Sequence, residues 1–193
     1  MTVDRPLRAH ARRNQARVVA AAREVFAEAG PEASLNEIAR RAEVGPGTLY
    51  RHFPTRRALQ IAVLRDRIEA LCGRGDELLT SASPDDALAE WLRAFLAHAR
   101  SGQGLGGAVM TVAPDELGFD CHERIMDTAA RLLGNAQRSG SARADLSPGD
   151  LLQLVVGIAL ATAQTDDADE PDRLLGIVLD AVSQRRRGGG SAQ

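Results

Sequence analysis

There is no lysine in this chain; all 24 of its basic residues are arginine. Aromatic residues are nearly as scarce, 3% of the sequence, with a single Trp and a single Tyr. The 44% hydrophobic share therefore falls mainly on Ala, Leu and Val, and β-branched runs are few. That composition disfavours sheets and points to an all-α chain. Cys72 and Cys121 lie far apart with no metal-type spacing, which excludes a disulfide framework and fits buried or free thiols in a reducing cytoplasm. The longest apolar stretch, Leu154 to Ala163, falls short of the roughly 20 residues a membrane helix needs. Arg23 and Glu24 interrupt VVAAAREVF, so the basic start is not followed by a signal-peptide core. A cytoplasmic protein with no membrane partner is the expectation.

Catalytic signatures are missing too. No nucleophile elbow, paired-histidine zinc motif, P-loop or dinucleotide fingerprint occurs. The glycines of SGQGLGG (Ser101–Gly107) follow a helical pattern, with no lysine and no preceding strand, so they read as a linker and not as a phosphate cradle. His98, Cys121 and His122 do not make a metal site, because sequence neighbours on a helix cannot both point inward. Neither an enzyme nor a metal or cofactor is expected.

What is present is an asymmetry of charge. Residues 1–57 hold 11 Arg against 6 acids, a balance of +5, while residues 58–193 hold 13 Arg against 20 acids, or −7. One end of the molecule is suited to a polyanion. Within that end, Ser34 to Arg57 carries the pattern of two short helices joined by a tight turn. Ser34 and Glu37 have capping-box spacing, and Leu35, Ile38, Ala39 and Ala42 give one apolar face. Glu43-Val44-Gly45 closes the turn, Pro46 suits a first helical position, and Pro54 stops the second helix. This is a helix-turn-helix pattern, whose second helix enters the DNA major groove.

At about 100° per residue, with Leu49 pointing inward, Phe53 lies about 40° away and shares the core. Gly47 and Arg51 fall on the opposite side, flanked by Thr48 and Tyr50. Glycine lets backbone approach a phosphate, and the Thr and Tyr hydroxyls are neutral phosphate donors. Arg51 is the one long donor at the centre of the strip, suited to the O6/N7 edge of guanine. His52 stands between phosphate contact and packing.

Around this pair, the pattern predicts a helix over 13–29 after a polar, Arg-rich start, and a long helix from Thr55 to about Leu79. Further helices are expected from Ser83 to about Arg100, Asp115 to about Ser139, Ser147 to about Thr165 and Pro171 to about Arg187. A short one is expected over 105–113, and the tail GGGSAQ is expected to be disordered. The count is eight or nine helices, with no strand and no repeat.

Residues 13 to 64 resemble the N-terminal domain of TetR-family transcriptional regulators. The resemblance rests on Ala21-Ala22, Phe26-Ala27-Glu28-Ala29-Gly30, Ile38-Ala39, Val44-Gly45-Pro46-Gly47-Thr48-Leu49-Tyr50-Arg51-His52-Phe53 and Leu59. Arg56 stands where the family usually has Lys. The resemblance implies an all-α fold with a three-helix DNA-binding domain over 1–60, a helical ligand-binding and dimerisation domain over 61–187, and a tail over 188–193. It implies DNA contacts from Gly47, Thr48, Tyr50, His52 and Arg56, with Ser34, Leu35 and Asn36 close by; Pro46 belongs to the same surface. Arg5, Arg8, Arg12 and Arg13 are candidates for a basic arm.

Beyond residue 65 the likeness is less specific. LLQLVVGIALATA (Leu151–Ala163) is apolar nearly all round, so more than one face must be buried. The resemblance implies that the last two helices pair with their copies, through Leu151, Leu154, Val155, Ile158, Leu174, Leu175, Val178, Leu179 and Val182. It also makes Trp91, Phe95, His98, Met110, Phe119, His122 and Met126 candidates to line an effector pocket, Trp91, Phe95 and His98 sharing a face by spacing. The implied function is a homodimeric repressor, released from a palindromic double-stranded operator by a small-molecule effector. The alternative is a helical small-molecule sensor or carrier with weak or non-specific DNA binding.

Overall fold

A computed structural model describes residues 4–81, 83–104 and 120–183, and these form eight helices. They are α1 (Asp4–Ala29), α2 (Leu35–Arg41), α3 (Pro46–His52), α4 (Arg56–Ser81), α5 (Pro84–Gly104), α6 (Cys121–Arg138), α7 (Pro148–Ala161) and α8 (Glu170–Val182). The one extended contact among the described residues is an isolated bridge between Ala142 and Ser183. The all-α architecture expected from the composition is observed.

Several ends differ from the sequence expectation, each for a physical reason. Helix α1 begins at Asp4 instead of near Arg13. Its first turns are rich in Arg, Ala and Leu, which sustain a helix without an apolar stripe, and Pro6 falls in the first turn where it is tolerated. Helix α5 continues through Gly104, so the first four residues of the expected linker are helical, with Arg67 donating to Ser101 Oγ. The expected short helix over 105–113 and the tail lie outside the described residues.

The described residues fall into two units that part within α4, between Glu69 and Ala70. Residues 4–69, 101–104 and 120–121 belong to the first, and 70–81, 83–100 and 122–183 to the second. The sequence reading drew the division at residue 60, inside the long helix that begins at Thr55, and the two units part within that same helix. In the first unit, Val18, Ala22, Val25 and Phe26 of α1 pack with Ile38 and Ala39 of α2, Leu49 of α3, Phe53, and Leu59 and Val63 of α4. In the second, Trp91, Leu92 and Phe95 of α5 share a core with Leu132 and Leu133 of α6, Leu151 and Val155 of α7, and Leu175 and Val182 of α8.

Two helix ends use the same reciprocal hydrogen-bond pattern with different residues. After α6, Gly140 (φ 73°) donates to Gln137 O at 3.1 Å and Ser141 to Ala136 O at 2.9 Å. After α2, Glu43 donates to Arg40 O at 3.1 Å and Val44 to Ala39 O at 3.0 Å, with Glu43 itself at φ 50°. These are Schellman ends, which place one residue in the left-handed region. Glycine takes that conformation freely; glutamate does not. Within the Glu43-Val44-Gly45 turn expected from the sequence, Gly45 is ordinary extended backbone at φ −67°, ψ 147°.

Candidate nucleic-acid interface

The reading helix α3 has seven residues, and its burial follows the helical angles. Leu49 and Phe53 are buried, at 1% and 4% exposure, while Gly47, Tyr50 and Arg51 are exposed and Thr48 and His52 half-buried. Two apolar anchors one turn apart hold such a short helix down and leave the opposite strip to solvent. Pro46 occupies the first turn and Gly45 the N-cap. A Cβ at Gly47 would meet nothing within 4 Å among the described residues, so no packing among them requires glycine there. Arg51 has no hydrogen-bond or ion-pair partner among the described residues.

Most of the arginines around α3 hold the unit together. Arg17 of α1 reaches Glu43 Oε2 at 2.6 Å and so fastens the strained turn before α3. Arg41 bridges Glu28 of α1 and Glu37 of its own helix at 2.6 and 3.0 Å. Arg40 adds two donors to Glu37, at 2.7 and 2.8 Å. Hydrogen bonds from Arg40 and then Arg41 lower the Glu37 pKa from 4.5 to about 2, and Arg41 likewise lowers that of Glu28.

This network explains why the capping box expected at Ser34 does not form. Ser34 is the N-cap of α2 with extended backbone, yet its side chain makes no cap hydrogen bond. Glu37 is drawn to the arginines one turn on, where the i+3 and i+4 spacing favours it. Ser34 and Asn36 are exposed and Leu35 half-buried, packed against the core.

Arg56, implied by the resemblance as a phosphate donor, is turned toward the loop between α1 and α2. Its Nη1 donates to Pro31 O at 3.1 Å and to Ala33 O, and its Nε lies 3.6 Å from Glu32. Of the candidate arm, Arg5, Arg8, Arg12 and Arg13 all lie in α1, and Arg12 and Arg13 are exposed.

The second unit sorts its expected site residues differently. Trp91 is fully buried, donates Nε1 to Leu71 O at 3.0 Å, and stacks on Phe95 at a 5.7 Å ring separation and 3°. Phe95 is 6% exposed and stacks in turn with half-buried His98 at 6.4 Å. Trp91 and Phe95 are thus buried members of the second unit's core. Gly75 of α4 underlies them: a Cβ there would press into Thr128 Cγ2 and lie 3.1 Å from Trp91 Nε1. Met126 borders a surface cleft of about 490 Å³ with Glu123, Arg124, Asp127, Ala130 and Pro148, and His122 is exposed. Met110 and Phe119 lie outside the described residues.

The residues expected to form a dimer face divide in two. Leu151, Val155, Leu175, Ile158 and Val182 are buried inside the chain itself, at 0, 0, 1, 9 and 5% exposure. Leu154 is 47% exposed, and Leu174, Val178 and Leu179 are half-buried. A helix apolar on every side gives no pattern from which its inward face can be read. The sequence missed Leu160 and Ile177, both 62% exposed. With Leu154 and Leu174, which border an open groove of about 570 Å³ beside Gly157 and Ala161, they leave an uncovered apolar surface on α7 and α8.

Comparison with known proteins agrees with this arrangement. Residues 18–63 match the family model of bacterial regulatory proteins of the tetR family, and residues 83–183 match the C-terminal domain of SbtR-like transcriptional regulators. The TetR transcriptional regulator SCO0520 of Streptomyces coelicolor is 36% identical, covering 89% of this chain and 99% of that one, with a TM-score of 0.78. A TetR transcription regulatory protein of Mycobacterium vanbaalenii is 33% identical over 92% of this chain and 99% of its own, with a TM-score of 0.76. The HTH-type transcriptional regulator UidR of Escherichia coli K12 is 39% identical over 67 residues, 34% of this chain; the match spans about a third (34%) of that relative's length. The helix-turn-helix unit and the helical unit that follows it in the chain are those of a DNA-binding regulator, and the chain belongs to the TetR family of bacterial transcriptional regulators.

Proposed function

We propose that this protein is a cytoplasmic homodimeric repressor that binds a palindromic operator and leaves it when a small molecule occupies the second unit. The observation that carries the DNA side is the outward strip of α3: Gly47, Thr48, Tyr50 and Arg51 opposite buried Leu49 and Phe53, with Arg51 unpartnered among the described residues. In this reading Arg51 contacts a guanine edge. Thr48, Tyr50 and His52 grip phosphates, Gly47 and Pro46 let the backbone close in, and Ser34, Leu35 and Asn36 border the same groove.

The dimer side is supported by the uncovered Leu154, Leu160 and Ile177, with half-buried Leu174 beside Leu154 in the same groove. Gly157 and Gly176 fit the same reading, because a Cβ at either would meet nothing within 4 Å among the described residues. A two-fold dimer sets the spacing of two reading helices, and hence the half-site separation. The effector acts only if it binds the DNA-free spacing better than the DNA-bound one. Helix α4, continuous across the boundary between the units, connects the effector's unit to α3's unit in the chain.

The test is selection of bound duplexes from a random pool at stated salt, followed by gel shift of the selected sequence. A two-fold symmetric site held by a dimer is the expected result. Enrichment of no sequence would favour the alternative, a helical sensor or carrier with non-specific DNA affinity.

A further inference from the structure

Arg56 and Gln60 stand one turn apart on α4 and converge on one loop. Gln60 is 8% exposed and donates Nε2 to Pro31 O at 3.0 Å; Arg56 donates Nη1 to the same carbonyl at 3.1 Å and to Ala33 O. Pro31 and Ala33 belong to the connection that ends one residue before α2, and Ala33 is itself in the core. Loop carbonyls in such a place need partners, and here α4 supplies them in place of water. Glu32, between the two carbonyls, lies 3.6 Å from Arg56 Nε. Arg56 Nη1 thus donates to two carbonyls of the loop, and its guanidinium also lies beside the Glu32 carboxylate.

We infer that Arg56 and Gln60 are positioning residues for DNA reading: they brace the α1–α2 loop and thereby fix where α2 begins. A seven-residue helix is too short to be stable alone; Ile38 and Ala39 anchor its middle in the core, and its two ends fix how its first turn is set. The far end is fastened by Arg41 to Glu28, and the near end by this brace. Ser34, Leu35 and Asn36 follow the braced loop directly. The inference rests on the DNA-binding reading and departs from the phosphate contact that the resemblance implies for Arg56.

The two roles of Arg56 give different salt behaviour. A lost phosphate contact lowers the slope of log affinity against log salt by about 0.9 per protomer, whereas a lost brace leaves the slope alone. Gln60 is the discriminating partner, being uncharged and buried. Arg56→Met and Gln60→Met are compared with wild type on the selected duplex across a salt series, at a temperature where circular dichroism shows all three folded. Amide exchange of residues 34–36 is followed in parallel without DNA.

The expected result is an affinity loss of about tenfold in each variant, of the size one net hydrogen bond provides, with unchanged slope and faster exchange. The double variant should lose less than the sum, because the two donors share one acceptor. A slope reduced only in Arg56→Met would overturn the inference in favour of a phosphate contact. Unchanged affinity in Gln60→Met, whatever its melting temperature, would reduce the brace to a stabilising feature and overturn it equally. If wild type selects no duplex, the DNA-binding reading has failed before any variant is compared, and unchanged exchange in Gln60→Met would then reject the brace itself.

Discussion

Both units tie helices with arginine–carboxylate pairs, but they leave different surfaces uncovered. In the first, α1 to α3 cover a core of modest side chains, and arginine–carboxylate pairs tie the helices across their polar faces. Its exposed strip on α3 is polar and ends in a guanidinium without a partner among the described residues. In the second, the largest side chain of the protein is sealed at the centre, while Leu154, Leu160 and Ile177 remain in solvent. The first surface suits a hydrated polyanion, and the second suits another apolar protein surface. A basic balance of +5 over residues 1–57 therefore overstates the charge offered to DNA, since Arg17, Arg40, Arg41 and Arg56 already hold carboxylates or carbonyls.

The largest effect expected from this contrast is at Trp91. Trp91→Ala should cost the second unit about 3–5 kcal/mol, because it removes a fully buried ring and its stacking on Phe95. Urea unfolding followed by circular dichroism measures it, since the only tryptophan is lost. A small loss would mean the Trp91 site is a loosely filled cavity after all. Next, Leu154→Asp with Ile177→Asp should weaken self-association by at least about a hundredfold, as truncating a central interface cluster does. The monomer fold should survive, because both side chains are outside it. An unchanged mass by sedimentation equilibrium would place the dimer contact elsewhere.

A finer contrast lies in the caps. Ser147 accepts from Asp150 N at 3.1 Å while Asp150 accepts from Ser147 N at 2.9 Å, a complete capping box. Ser147→Ala should cost about 0.5–2 kcal/mol, and Ser34→Ala almost nothing in stability, because Ser34 makes no cap bond. Equal losses in thermal unfolding would contradict that difference.

The smallest effect is on pH. The folded Glu37 pKa of about 2 lies below its ordinary 4.5, so its contribution is present above 4.5 and fades as pH falls toward 2. Glu37→Gln should flatten this acid dependence of the first unit's melting temperature. The pair is exposed, so the change is small.

How far the sequence alone reached follows from these particulars. The α3 strip was legible because seven residues with two apolar anchors admit one orientation. The turn before it was not: Gly45 carries the expected chemistry, yet Glu43 takes the left-handed conformation, held by an arginine 26 residues away. The spacing of Ser34 and Glu37 matched a capping box, but a carboxylate with two arginines one turn on goes to them. In α7 the failure was of another kind. An all-apolar helix has no stripe, so Leu151 and Leu154 look alike until the fold buries one and exposes the other. Trp91 was legible as a large side chain sharing a face with Phe95 and His98, but spacing cannot separate a packed ring from a pocket wall.

The central claim is that Arg51, alone among the exposed side chains of α3, reads a base. Binding-site selection with wild type and Arg51→Ala, on the same random pool and at the same salt, tests it most directly. The account predicts that one base pair in each half-site loses its preference in the variant, at a cost of about 1–3 kcal/mol on the wild-type duplex. An unchanged consensus, with affinity lowered evenly across all sequences, would contradict it and make Arg51 a backbone contact.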